Sequence, residues 1–351
     1  MGTIVDKLKL GVIGVGRMGE RHCRVYTSMP QTELVGISDL SEERGYTMQE
    51  RYFTRYFKDF QTMLPLVDAV SIVTTTPGHY PIGMECLRQG KHLLIEKPIA
   101  LNLTEAREMV ALARRNGCLL MVGHIERYNP AFLELEHFLD TLPSQETIAL
   151  NVRRLSPFDN SLTDVDVISD LMIHDLDLTL KIMGRLPDAV EAFGRRVFTK
   201  SIDHAVANLY YHHGPVVSLT ASRVTQQKVR SIELTTNDSF VQADLLHKSL
   251  SIHRRFVPHY SNQDSPRYRQ EGFIEQIFVP NAEPLQLELL DFVQSVQNKA
   301  QPKVSGEDGI VALGLALEIR DKIETRCDEK PYSQETSEVW RKLEAPVVVA
   351  N

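Results

Sequence analysis

Leu10-Gly11-Val12-Ile13-Gly14-Val15-Gly16-Arg17-Met18-Gly19 decides the reading of this chain. A short apolar run turns through three glycines spaced G-x-G-x-x-G and enters a segment with helical character. Gly14 permits the tight turn, Gly16 lets a pyrophosphate approach the backbone, and Gly19 lets the helix lie close on its strand. The helix start, at Arg17 and Met18, offers unpaired N–H groups and the positive end of the helix dipole to phosphates. A second apolar strand, Leu34-Val35-Gly36-Ile37-Ser38, ends at Asp39, where a carboxylate would accept hydrogen bonds from an adenosine ribose. The competing reading is a nucleotide-free turn with an incidental Asp. A carboxylate at 39 repels a 2′-phosphate and favours NAD; Arg44, a few residues on, keeps NADP as the second option.

Outward from this stretch, strands and helices alternate. A helix is expected from about Arg17 to Ser28, another from Ser41 with that residue as N-cap, and a short strand at Arg55 to Phe57. Ala69 to Thr74 is a buried strand, followed by turn residues Thr75 to His79 and a helix from Tyr80 to Gln89. His92 to Ile95 is a strand ending in Glu96-Lys97-Pro98. Thr104 to Asn116 is an amphipathic helix, and Leu119 to Val122 one more strand. Alternation of this kind gives a parallel, doubly wound sheet, with ligands beyond the carboxyl ends of its strands. Gly14 to Gly19, Asp39, Thr74 to His79, Glu96 to Pro98 and the residues after Gly123 should therefore converge on one crevice.

The chain has 351 residues, which argues for two domains. We place the boundary after residue 124, with 1–124 binding the dinucleotide and 125–351 binding substrate and forming the oligomer. A net charge of -7 leaves no basic surplus for nucleic acid. No apolar run approaches a membrane span, and Met1 to Leu8 lacks the apolar core of a signal peptide. Four scattered cysteines, with no C-x-x-C pair, read as reduced thiols of a cytoplasmic protein.

In the second half, Ala131 to Asp140 is a helix and Glu146 to Leu155 a strand. Ser156 to Asp166 is a polar loop, and a helix spans about Ile168 to Met183. From Ala189 to Phe256 the pattern has period two, with hairpin turns at His213-Gly214-Pro215 and Asn237-Asp238. The lack of intervening helices argues for antiparallel pairing. His253 to Gln270 is a basic, aromatic loop, and two helices, Pro284 to Asn298 and Gly306 to Arg326, finish the fold.

Glu96-Lys97-Pro98 with the GVGRMG loop resembles the glucose–fructose oxidoreductase, inositol dehydrogenase and rhizopine-catabolism (Gfo/Idh/MocA) family. Gly123-His124-Ile125-Glu126-Arg127-Tyr128-Asn129-Pro130 is similar to that family's interdomain crossover, and Asp170-Leu171-Met172-Ile173-His174-Asp175 to its D-x-x-x-H-D helix. The resemblance covers roughly residues 8 to 184. It implies a Rossmann domain followed by a large, mostly antiparallel sheet that mediates dimers or tetramers. It implies oxidation or reduction of a hydroxyl on a sugar or cyclitol with NAD or NADP. The long forms HIERYNPA and SDLMIHDLDL are most similar to members acting on the 3-hydroxyl of UDP-N-acetyl sugars. It also implies that Arg127 and Asn129 reach the cofactor amide or the substrate.

Alcohol oxidation needs a hydride acceptor and a group that takes the hydroxyl proton. Asp170 and His174 are spaced i, i+4 on one helix face. An unperturbed His has a pKa of about 6.5, so His174 is the natural base, with Asp170 orienting the ring or the substrate. Lys97 at a strand end would stabilise developing alkoxide charge, helped into the crevice by a cis bond to Pro98. Glu96 would contact the nicotinamide side or fix Lys97, and Thr74, Thr75 and His79 would line the cofactor. The bland alternatives are a surface lysine, a satisfied histidine, and His79 serving only its helix. Arg153 and Arg154 are adjacent on a strand, so at most one can face a site. A metal-dependent hydrolase using Asp166, Asp170, His174, Asp175 and Asp177 lacks a second histidine; we expect no metal. A non-catalytic dinucleotide sensor is the remaining rival, against which Lys97, Asp170 and His174 argue.

Overall fold

The structure, a computed structural model, describes residues 7–141, 147–159, 165–254 and 273–328. Most of the anticipated loop at 253–270, the middle of the polar loop at 156–166, and the stretch 1–6 lie outside these residues.

The first sheet contains β1 (Leu8–Ile13), β2 (Thr32–Ser38), β3 (Arg55–Phe57), β4 (Ala69–Ile72), β5 (His92–Glu96) and β6 (Leu120–Gly123), all parallel in the order β3-β2-β1-β4-β5-β6. Leu10, Val12, Val70, Ile72 and Leu94 are fully buried, as expected of strands covered on both faces. The connecting helices are α1 (Arg17–Ser28), α2 (Glu42–Tyr52), α3 (Thr76–Arg88) and α4 (Leu103–Arg115). Ser41 caps α2 by accepting from the N–H of Arg44. The strand order reverses between β1 and β4, which puts a crevice at their carboxyl ends.

One boundary differs in a way that matters. The turn residues Thr75 to His79 suggested that α3 would begin at Tyr80, but it begins at Thr76. Pro77 falls in the first turn, where a missing N–H costs nothing. His79 therefore sits inside a helix and not in a loop.

The chain crosses over through a 3₁₀ turn at Ile125–Tyr128 and α5 (Pro130–Leu139). The second sheet has eight strands: β7 (Thr147–Leu155), β8 (Ala189–Arg195), β9 (His204–Tyr210), β10 (Val216–Ser222), β11 (Val229–Thr236), β12 (Ser239–Asp244), β13 (Ser249–Arg254) and β14 (Phe273–Ile277). Every neighbouring pair is antiparallel except β7 with β10. Both anticipated hairpins form. One face of this sheet packs on α5, on α6 (Ile173–Met183) and on α8 (Gly306–Asp328), burying Phe132, Leu176 and Ile319 among Leu150, Leu219 and Ile232.

The chain then returns to the first half. Leu289, Phe292 and Val293 of α7 (Pro284–Asn298) join the core of the parallel sheet. Helix α8 serves both cores: Leu313 belongs to the first, Ala316, Ile319 and Ile323 to the second.

Candidate active site

The glycine turn is built for a dinucleotide. Gly14 has φ 87°, a left-handed conformation that favours glycine. A Cβ on Gly19 would lie 1.9 Å from the carbonyl oxygen of Gly14, so helix and turn could not approach as they do. A Cβ on Gly16 would meet only the Arg44 guanidinium, at 3.6 Å, so the space above that residue is open. No side chain caps the N-terminus of α1, which leaves its first-turn N–H groups without a side-chain acceptor. Asp39 lies at the end of β2. Its Oδ2 accepts from the Val15 N–H at 2.8 Å and its Oδ1 from the Ser41 N–H at 2.8 Å. The Arg44 Nε is 3.8 Å from Asp39 Oδ1. Open space at Gly16, free N–H groups and an oriented carboxylate fit a bound dinucleotide. Thr75 is the N-cap of α3, and the Thr74 hydroxyl donates to the Thr75 carbonyl at 3.2 Å.

Next along the crevice comes the end of β5. The Lys97–Pro98 bond is cis. The Lys97 ammonium donates to the main-chain oxygen of Asp170 at 2.7 Å and approaches its Oδ1 at 3.2 Å. Asp170 stands in a π-helical turn, Ile168–Met172, that leads into α6. The two halves of the chain therefore meet at this pair. His174 follows in the first turn of α6. Its ring is partly accessible, but Nδ1 is buried with no partner among the described residues. Burial, then the charges of Lys97, Arg154, His124 and Arg230, push its pKa well below the ordinary 6.5. The base anticipated to titrate near neutrality is thus held neutral there. Asp170, expected to orient that imidazole or the substrate, has its carboxylate against Lys97.

Three residues anticipated to contact ligand have partners within the fold. Both ring nitrogens of His79 are occupied, Nδ1 at 2.8 Å from the Pro98 carbonyl and Nε2 at 3.1 Å from that of Thr74. The ring ties the two strand-end loops together. Arg127 is buried and donates Nε and Nη2 to Asp177 at 2.7 and 3.0 Å. The Asn129 amide donates to Glu126 at 3.0 Å and to the Leu245 carbonyl at 2.9 Å, while its oxygen caps α5.

Beneath the site lies a layer that the sequence reading named only in part, through Glu96 and the Arg153–Arg154 pair. Glu96 Oε1 is 3.3 Å from His22 Nε2 of α1. Glu288 of α7 is fully buried with both oxygens lacking partners among the described residues. Burial and the neighbouring Glu96 charge push its pKa well above the usual carboxylate range. Arg154 faces inward and is paired with Asp175 at 2.7 Å and Glu126 at 2.8 Å; Arg153 is exposed. Arg230 of β11 donates to Glu126 at 3.1 Å. Its position in phase with Ile232 and Leu234 was the available signal: a cation where period two calls for an inward residue. Among the described residues no three His, Cys, Asp or Glu side chains gather as a metal site, and no helix is long and apolar enough to cross a membrane.

Comparison with known proteins agrees with this geometry. Residues 8–124 match the oxidoreductase family with an NAD-binding Rossmann fold, and residues 153–238 match the GFO/IDH/MocA C-terminal domain. A UDP-N-acetylglucosamine 3-dehydrogenase from Acidithiobacillus ferrooxidans is 33% identical over 320 residues, covering 90% of this chain and 97% of that protein. The chain belongs to the Gfo/Idh/MocA oxidoreductase family. It is accordingly a dehydrogenase acting on CH–OH groups, with an NAD(P)-binding Rossmann domain. Another member, the myo-inositol 2-dehydrogenase of Thermotoga maritima, is 26% identical, covering 92% of this chain and 98% of its own. A solved structure of the Acidithiobacillus ferrooxidans enzyme superposes with a TM-score of 0.82 at 32% identity, covering 91% of this chain and 98% of that one.

Proposed function

We propose that this protein oxidises a ring hydroxyl of a nucleotide sugar, at the 3-position of a UDP-N-acetyl sugar, with NAD as acceptor. The observation that carries the reading is the meeting of Lys97, at the carboxyl end of β5 in the sheet that bears the glycine turn, with Asp170, four residues before His174. The relative with 33% identity supports the substrate, and the Asp39 carboxylate supports NAD over NADP. A nicotinamide bound in the crevice would supply the hydride acceptor.

The chain's own residues handle the proton. Lys97 is held by Asp170 with N–H capacity left over for a substrate oxygen, where its charge would stabilise developing alkoxide. His174, kept neutral by burial and nearby cations, has a lone pair for the hydroxyl proton. The same cations disfavour its imidazolium, so the proton would pass on to solvent.

The second sheet also suggests an oligomer. On its face away from α5, α6 and α8, the register aligns Ala189, Tyr210, Val216, Ala149, Thr235, Phe240, His253 and Ile274 in a row across the strands, mostly apolar or aromatic. Tyr210, Val216 and Ile274 are exposed, the character of a face covered by a second copy.

The test is NADH formation against UDP-N-acetylglucosamine, UDP-N-acetylgalactosamine, free sugars and inositols. Turnover confined to inositols or free sugars would replace the substrate; no turnover of any polyol would defeat the proposal.

A further inference from the structure

Beside Lys97 and His174 the second sheet supplies a charge that proton transfer does not use. Arg230 on β11 is the register partner of Arg154 on β7. Like charges directly opposite on neighbouring strands repel, and Glu126 lies against both. Its Oε1 accepts from Arg154 Nη1 at 2.8 Å and from Arg230 Nη1 at 3.1 Å. There the likeness ends. Arg154 also commits Nε and Nη2 to Asp175, at 2.9 and 2.7 Å, and its side chain is 3% exposed. Arg230 has only the shared contact among the described residues, and its side chain is 34% exposed. Most of its planar set of donors is unmatched.

The sheet register places Arg230 beside the cleft: it stands opposite Arg154, and Arg154 holds Asp175, the residue that follows His174. Lys97 is matched by Asp170, Arg154 by Asp175, and Glu126 is divided between two arginines. A guanidinium that is half-paired and open on one side is the group best suited to take an oxyanion in bidentate fashion.

Resting on the sugar-dehydrogenase reading, we propose that Arg230 selects substrates bearing an anionic oxyacid substituent, phosphoryl or carboxylate, on the ring that meets Lys97 and His174. Neutral sugars and inositols lack the group that completes its hydrogen bonding. Arg230 acts on substrate choice, not on the proton.

The experiment uses protein saturated with NADH, which keeps the dinucleotide site filled. Calorimetric titration with UDP, glucuronate and myo-inositol separates a phosphoryl from a carboxylate source and both from a neutral ring. In Arg230→Gln, the dissociation constant of the preferred anion should rise roughly 10- to 100-fold, the worth of a charged hydrogen bond. The rise should exceed that for myo-inositol by about tenfold or more. Wild-type affinity for the anion should also weaken between 50 and 300 mM salt, on the order expected of a partly exposed charge pair; this arm needs no variant. Equal loss for anionic and neutral ligands, or no loss for either, overturns the proposal. If UDP-N-acetylglucosamine is not oxidised but anion binding still depends on Arg230, the substrate reading fails and this one stands. If it is oxidised with the same KM in Arg230→Gln, the reverse holds.

Discussion

The ammonium of Lys97 lies 2.7 Å from the main-chain oxygen of Asp170, joining the end of a parallel strand to a helical turn of the other half of the molecule. Position 97 thereby acquires a fixed charge at the mouth of the crevice. Lys97→Ala should lower kcat by roughly 10²–10³, the usual effect of losing a donor to a developing oxyanion. NADH affinity, read by fluorescence titration, should persist. A fully active variant would remove Lys97 from the chemistry.

His174 sets the pH dependence. Burial and nearby cations place its folded pKa well below 6.5, so the ring remains neutral through pH 6.5 and is lost as a base only when pH falls through the depressed value. The kcat/KM profile should be flat across pH 6.5 and decline on the acid side. The same group destabilises the fold in acid, since the unfolded chain takes up its proton at about pH 6.5 and the native chain does not. A rate limb centred on pH 6.5 that disappears in His174→Gln would contradict this.

Two glycines of the turn should part company on substitution. Gly19→Ala forces a Cβ against a backbone oxygen and should cost about 1–3 kcal/mol of stability or more, read as a drop in Tm. Gly16→Ala points into open space, so its Tm should hold while NADH affinity falls.

Asp39→Asn keeps an oxygen for the Val15 N–H but removes the charge. Opposing a phosphate with a carboxylate costs several kcal/mol, so the NADP:NAD ratio of kcat/KM should rise by about tenfold or more. An unchanged ratio would show that Asp39 only braces the loop.

Glu288 carries a stability slope of the opposite sign from His174. Its folded pKa is raised, so the native side chain stays protonated while the unfolded one ionises above about pH 4.3. Stability from this group is therefore lost as pH rises above that value. Glu288→Gln mimics the neutral acid, and its Tm advantage over the parent should widen from pH 5 to pH 8. A constant difference would mean the carboxyl ionises in place.

Much of this was legible before any coordinates. The glycine spacing, Asp39 and the strand-end Lys97 are local signals, and each sits where the pattern put it. Period two marked both hairpins of the second sheet. The burial of Arg127 and Asn129 was not legible, because it depends on Asp177, Glu126 and the Leu245 carbonyl, all brought in by tertiary packing. His79 was misplaced by turn residues, Pro77 among them, that read as a loop but stand in the first turn of a helix. The depressed His174 pKa arises first from burial and then from Lys97, Arg154 and Arg230 on three separate strands or strand ends, and no spacing along one helix could reveal it.

Helix α8 has a mechanical consequence. Since Leu313 is embedded in one interior and Ile319 and Ile323 in the other, the lobes share a beam and cannot swing apart without tearing apolar surface from one of them. Admission of reactants would then rest on side chains and loops at the rim, not on a clamshell motion, and heat should melt both lobes as a single cooperative unit.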